Sequence, residues 1–340
     1  MRAIRRRQLF IIAEIVLLGL IAGLPTATLS VEKVKLKTDF SPVGYHTVFY
    51  AAVGRGIYQR HGLDVDIIPG NGSYTAVLDI AGEKVDFGFA DTGSLVVGAL
   101  NANIRNVKIV SMIFEVTPYT VLYLKNKGIT KPQDLKGKTM ADFQGSGTSK
   151  LINVFARVNG VDLSSNNVLI SSPSTFLNPL IVGQADYAAT TVNRLPNLIG
   201  PARQSGNDLA EFRFADYGVD IFGASIITNV KTIERRADVV KRFIQATLES
   251  VQWTAQNPDQ AVDYFLQFNP QIKKAQALID LNTMLDTSVP RGKAPGNPLF
   301  LGWTDATKMK KTIDMVREAY QLRQSIDPAT LYTNDYVGKP

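Results

Sequence analysis

The 340-residue chain contains no cysteine, only two histidines (His46 and His61) and only two tryptophans. Without cysteine there is no disulfide, no thiolate nucleophile and no thiolate-held zinc or iron–sulfur centre. Two histidines are too few for a multi-histidine metal site. Strong charge of one sign is also missing once the N-terminus is set aside: the formal charge is +7, but the first thirty residues hold four arginines and one glutamate, so the rest carries +4. Beyond it, basic residues cluster in KNKGITKPQDLKGK, ERRADVVKR and KMKK. Interleaved with acids on helix faces and loops, they read as solvated surface and exclude a nucleic-acid-binding stripe. The apolar run 15–24 has ten residues, too few to span a bilayer core of about 30 Å.

The N-terminus has a different signature. Arg2, Arg5, Arg6 and Arg7 precede that run, Glu14 shortens it, and the small residues PTATLS follow. These are the parts of a secretory signal peptide over residues 1–30, with cleavage expected near residues 27–30. The alternative is an uncleaved membrane anchor. No cysteine follows the run, which excludes a lipid-anchored lipoprotein. The expectation is a periplasmic chain of about 310 residues, long enough for two domains.

From Val34 the pattern is strand, loop, helix, three times over. VKLKTDF alternates and stops at Ser41-Pro42; HTVFYAAVGRGIYQRHG has helical spacing with Gly62 as a C-cap; LDVDIIPG is a strand. SYTAVLDIAGEK reads as a helix capped by Asn71 or Ser73, VDFGFAD as the third strand. The strands KIVSMIF and TVLYLK follow, and the pattern then restarts with KTMADF, the glycine loop QGSGTSK (144–150), a helix, NNVLISSP, the helix STFLNPLIVGQ and ADYAATTV. EFRFADYGVDIFGASIITN carries two more strands; from Thr232 a sustained helical stripe leads to a final amphipathic helix in DATKMKKTIDMVREAYQLRQ.

Such alternation predicts α/β lobes, each a mostly parallel sheet flanked by helices. Extended segments at about 116–124 and 218–227 would form a double-crossover hinge between lobe 1 (31–117 and 225–340) and lobe 2 (118–224). A cleft that closes about a hinge is the geometry of periplasmic-type binding proteins.

Four segments, FYAAVGRGIYQRHGLDVDI, AGEKVDFGFAD, ITKPQDLKGKTMADFQGSGT and VGQADYAATTV, carry a family likeness. The chain resembles substrate-binding proteins of ABC importers, in the group covering nitrate, sulfonate, taurine and thiamine-pyrimidine-precursor binders. With the helical tail, the likeness covers nearly all of the chain after the signal. The loop TDFSPVGYH, with Asp39, Pro42 and His46, is most similar to the pyrimidine-precursor branch, except that Phe40 and Val43 stand where that branch usually has Trp and Asn. The resemblance implies a type II two-lobe periplasmic-binding-protein-like fold and a non-catalytic solute binder with no cofactor or metal, expected to be a monomer. Its partners would be a small-molecule ligand and an inner-membrane ABC permease. A membrane-tethered sensor on the same fold is the alternative. An enzyme is a further one, because eukaryotic relatives include a pyrimidine-forming protein. That activity goes with a cysteine-rich iron-linked motif, which this chain lacks.

Ligands of such sheets bind beyond the carboxyl ends of the strands, and this selects the candidate site. Asp39 can accept from ligand N–H groups and Phe40 can stack on a flat ring, with Tyr45 and His46 in the same loop. Asn71, Ser73 and Tyr74 open one helix, and Asp91, Thr92 and Ser94 another, where backbone N–H groups are free. In lobe 2, Gly145, Ser146, Gly147 and Thr148 offer close backbone approach and several donors; the lysine spacing is not that of a nucleotide-binding P-loop. Thr190, Thr191 and Asn193 end a strand facing the cleft. Glu115, Thr117, Tyr217 and Phe222 flank the crossovers.

Overall fold

The computed structural model describes residues 31–144, 146–289 and 301–338; the expected signal peptide lies outside them. The first strand, β1 (Glu32–Lys37), buries Val34 and Leu36 and exposes the residues between, as its alternation predicts. It ends earlier than expected because Thr38 turns the chain: its Oγ1 donates to Phe40 O (2.8 Å) and accepts from Gly70 N–H (3.1 Å). The expected single helix over 46–62 is two, α1 (Thr47–Gly54) and α2 (Ile57–Arg60). Gly56 breaks it by adopting a left-handed φ of 70°, which costs glycine little.

β1 pairs in parallel with β2 (Leu63–Ile68), from Glu32 opposite Leu63 to Lys37 opposite Ile68, and with β3 (Phe87–Asp91). The helices α3 (Ser73–Ala81) and α4 (Thr92–Asn101) are the crossovers. Chain order continues through β4 (Val107–Met112), β5 (Tyr119–Leu124), β6 (Thr139–Phe143), α5 (Gly147–Val158), β7 (Asn167–Ser171), α6 (Asn178–Ile181), β8 (Tyr187–Thr191), α7 (Arg194–Gln204), β9 (Leu209–Arg213) and β10 (Ala224–Asn229). One sheet has the order β2-β1-β3-β10-β4 and the other β7-β6-β8-β5-β9. In each, four strands run one way and one is reversed: β10 is antiparallel to β3 and β4, and β5 to β8 and β9.

The reversed strands are those that arrive from the other sheet. The segments expected to be extended hinges therefore consist largely of β5 and β10 themselves, leaving 113–118 and 214–223 as the crossings. These two are bonded together, Gly223 N–H to Phe114 O (2.9 Å) and Thr117 N–H to Ile221 O (3.1 Å).

The helical tail is α8 (Val230–Arg235), α9 (Ala237–Gln256), α10 (Pro258–Phe268), α11 (Lys274–Thr287) and α12 (Ala306–Ala319). Pro258 opens α10 at the position where its missing N–H has no intrahelical partner to lose, so the expected continuous stripe is divided there. Beneath the first sheet Phe243 is fully buried, stacked on Phe87 at 3.9 Å and on Tyr58 at 5.3 Å. A second apolar seam, including Leu95, Leu151, Phe155, Ile313 and Val316, runs through both sheet units, because α12 packs on α4 and on α5. α11 packs on the turn Gly44–His46 and on α7. That approach requires glycine at 44, where a Cβ would lie 2.2 Å from Ala277 O.

Candidate functional site

The strand ends of the two sheets face one cavity. From the first sheet come Asp39, Phe40 and Tyr45 after β1, and Gly72 and Ser73 at the start of α3. From the second come Tyr119, Phe143, Ser146, Thr148, Phe176, Thr190, Thr191 and Arg194. The centre of a water molecule has about 60 Å³ in which to move, room for several waters.

Asp39 is the best-anchored group. His46 Nε2 lies 2.7 Å from Asp39 Oδ1, and the Tyr45 hydroxyl donates to the two carboxylate oxygens at 3.5 and 3.3 Å. Val43 N–H donates to His46 Nδ1 (3.4 Å), which assigns the proton to Nε2 and makes the buried imidazole a donor to Asp39. Burial, reinforced by the Asp39 charge, holds the Tyr45 hydroxyl well above the usual phenol range, so it stays a neutral donor. The loop is pinned from below: Gly72 N–H donates to Asp39 O (2.7 Å) and Gly70 N–H to Phe40 O (3.1 Å).

Across the cavity the hydroxyls of Ser146 and Thr148, both buried, are hydrogen-bonded to each other. The Phe40 ring contacts Phe143 at 5.7 Å, Phe143 contacts Phe176 at 4.8 Å, and the Arg194 guanidinium lies 5.6 Å from the Phe40 ring centre. Phe40 therefore reaches across the cleft. Behind it, the buried carboxylate of Asp280 on α11 accepts from Gly44 N–H (3.3 Å), Asn193 Nδ2 (3.0 Å), Asn197 Nδ2 (3.0 Å) and Gln276 Nε2 (3.1 Å). It ties the loop of Tyr45 to the helix that carries Arg194.

Eight of the expected residues meet at the cavity: Asp39, Phe40, Tyr45, Ser73, Ser146, Thr148, Thr190 and Thr191. His46 stands directly behind Asp39. The others serve elsewhere. Asp91 caps α4, accepting from Ser94 N–H (2.7 Å) and from its hydroxyl, and burial raises its pKa; Thr92 Oγ1 faces Met112 Sδ at 3.9 Å. Neither Asn71 nor Ser73 caps α3, whose N-cap is Gly72 at φ 136°; Asn71 is exposed and accepts from Thr75 Oγ1 (2.7 Å), while Ser73 Oγ accepts from Asp91 N–H (3.2 Å). Tyr74 packs against the core. Glu115 is exposed, its N–H donating to Ser288 O (2.8 Å). Thr117 is buried in the first crossing, Asn193 is held by Asp280, and Tyr217 and Phe222 pack in the apolar seam. Gly147 opens α5, and Gly145 lies outside the described residues.

Gly72, Tyr119, Phe143, Phe176 and Arg194 line the cavity without having been expected there. Tyr119 and Phe143 look like ordinary strand aromatics in sequence. Arg194 had the one usable signal, its place directly after the strand end ATTVN.

Two sheets that exchange strands at a double crossing, with a cavity between their strand ends, define the two-lobe periplasmic-binding-protein-like fold. The alkanesulfonate-binding protein SsuA from Xanthomonas axonopodis pv. citri, solved with MOPS, matches it with a TM-score of 0.68 at 14% identity, over 89% of this chain and 98% of that one. The chain belongs to the NMT1/THI5-like family, whose model matches residues 43–261. It is similar to the riboflavin-binding protein RibY of Chloroflexus aurantiacus (23% identity over 93% of this chain and 89% of that protein). It is likewise similar to the formylaminopyrimidine-binding protein of Halalkalibacterium halodurans (24% over 70% and 71%). A 4-amino-5-hydroxymethyl-2-methylpyrimidine phosphate synthase of Saccharomyces cerevisiae, THI11, matches at 24% over 72% and 73%. No helix among the described residues is long and apolar enough to cross a membrane.

Proposed function

We propose that the chain is a solute-binding protein of an ABC-type importer, which captures one small organic solute between its two lobes and delivers it to an inner-membrane permease. In this reading residues 1–30 direct export to the periplasm, 31–117 with 225–340 form lobe 1, and 118–224 form lobe 2. The carrying observation is a cavity lined from both sheets by an anchored carboxylate, hydroxyls and aromatic rings. A solute touching both walls favours the closed arrangement by its differential affinity for it. The anchored Asp39 acceptor supports a ring bearing N–H groups.

The non-catalytic reading rests on the same geometry. His46 donates one ring nitrogen to Asp39 and accepts from Val43 on the other, an arrangement that orients a binding carboxylate and leaves no ring nitrogen to take a proton from a solute. The similarity to a synthase motivates one control, product formation by the purified protein with pyrimidine substrates. Native mass spectrometry of protein purified from the periplasm tests the main reading: one retained small molecule per chain supports it, and product formation refutes it.

A further inference from the structure

Arg194 begins α7 and extends into the cavity, half-buried, beside Ser146, Thr148, Thr190 and Thr191. Among the described residues its guanidinium forms no ion pair, and its charge reaches Asp280 and Tyr45 only at longer range. The nearby carboxylates are engaged otherwise, Asp39 by His46 and Tyr45 and Asp280 by four N–H donors. One cavity thus presents a carboxylate from the first sheet and a guanidinium from the second, not paired with each other. A guanidinium stacked over a ring keeps its edge N–H donors free, and their fork matches a carboxylate, sulfonate or phosphate. A partly desolvated cation with no direct ion pair gains from one that a solute supplies.

We propose that Arg194 is a specificity-determining residue which recognises an acid group on the solute. The ligand class is then a single-ring nitrogen heterocycle that donates N–H to Asp39 and presents an oxyanion to Arg194 and its neighbouring hydroxyls. This rests on the solute-binding reading above and deepens it: such a molecule bridges a charge on each lobe, so it draws the lobes together where a neutral ring engages one charge alone.

Calorimetric titration of the full chain with 4-aminopyrimidine-5-carboxylate and its 5-carboxamide tests the inference. The wild type should bind the carboxylate about tenfold or more tightly than the carboxamide, the scale of one charge-assisted interaction. Arg194→Gln should weaken the carboxylate by about that factor and the carboxamide by less than about threefold, and Arg194→Lys should recover part of the preference. Equal affinities in the wild type, or equal weakening of both by Arg194→Gln, would overturn the inference. If neither probe binds but a neutral ring raises the melting temperature, the acid-group inference fails and the solute-binding reading stands. If no solute of either kind binds, both fail.

Discussion

Asp280 offers the sharpest structural test. Its carboxylate is 2% exposed and accepts four N–H donors, from its own helix, the loop at Gly44 and the start of α7. Asp280→Ala removes all four acceptor contacts. Two donors, Asn193 and Gly44, are buried, and among the described residues Asn193 Oδ1 has no partner, so its side chain would lose the one hydrogen bond it makes to them. Each buried orphan costs about 1–3 kcal/mol. Set against this is relief of the carboxylate's own desolvation, which raises its pKa. The balance is a loss of about 2–4 kcal/mol. With about 2.1 cal/mol/K per residue over the folded chain, that lowers the melting temperature by roughly 3–6 °C. The assay is a calorimetric or circular-dichroism melt beside Asp238→Ala, whose exposed pair with Arg242 contributes no more than about 0.5 kcal/mol. An Asp280→Ala melt within about 1 °C of wild type would show that the Asp280 contacts do not stabilise the fold.

Because burial raises the Asp280 pKa, the folded state holds that proton more tightly than the unfolded one. The resulting stability is present below the usual carboxylate range and lost as pH rises through the raised value. The stability difference between wild type and Asp280→Asn should therefore grow as pH falls from 7 toward 4, and a constant difference across pH-dependent melts would contradict it. Gly44→Ala places a Cβ 2.5 Å from Asp280 Cβ as well as against Ala277 O; overpacking of about 1–3 kcal/mol should appear as a lower denaturant midpoint. Phe243→Ala empties a site stacked on both sides and should cost about 3–5 kcal/mol in the same measurement.

The order of strands and helices was legible because amphipathic period and turn residues are local properties. VKLK, LDVDII and FGFAD fold as strands, and the segments after the first two supply Asp39 and Ser73 to the cavity. What was not legible depends on pairings distant in sequence. Arg194 reads as a helix-surface cation until α7 is placed against Phe40, 154 positions earlier. Asp280 reads as one polar residue in a helix until Asn193 is brought to it. Asp91 illustrates the opposite limit: a carboxylate three residues before Ser94 suits an N-cap and a ligand contact equally, and only the fold assigns it to the cap.

In the proposed function one small ring binds at Asp39 between the lobes. Calorimetric titration of the purified chain with single-ring amines, acids and amides, repeated on Asp39→Ala, tests it most directly. One site per chain is expected, with affinity for an N–H-bearing ring lost in the variant and binding of simple anions retained. At 100 times its dissociation constant the solute adds about 2.7 kcal/mol, or roughly 4 °C of melting temperature. A ring that binds wild type and Asp39→Ala with equal affinity would contradict it.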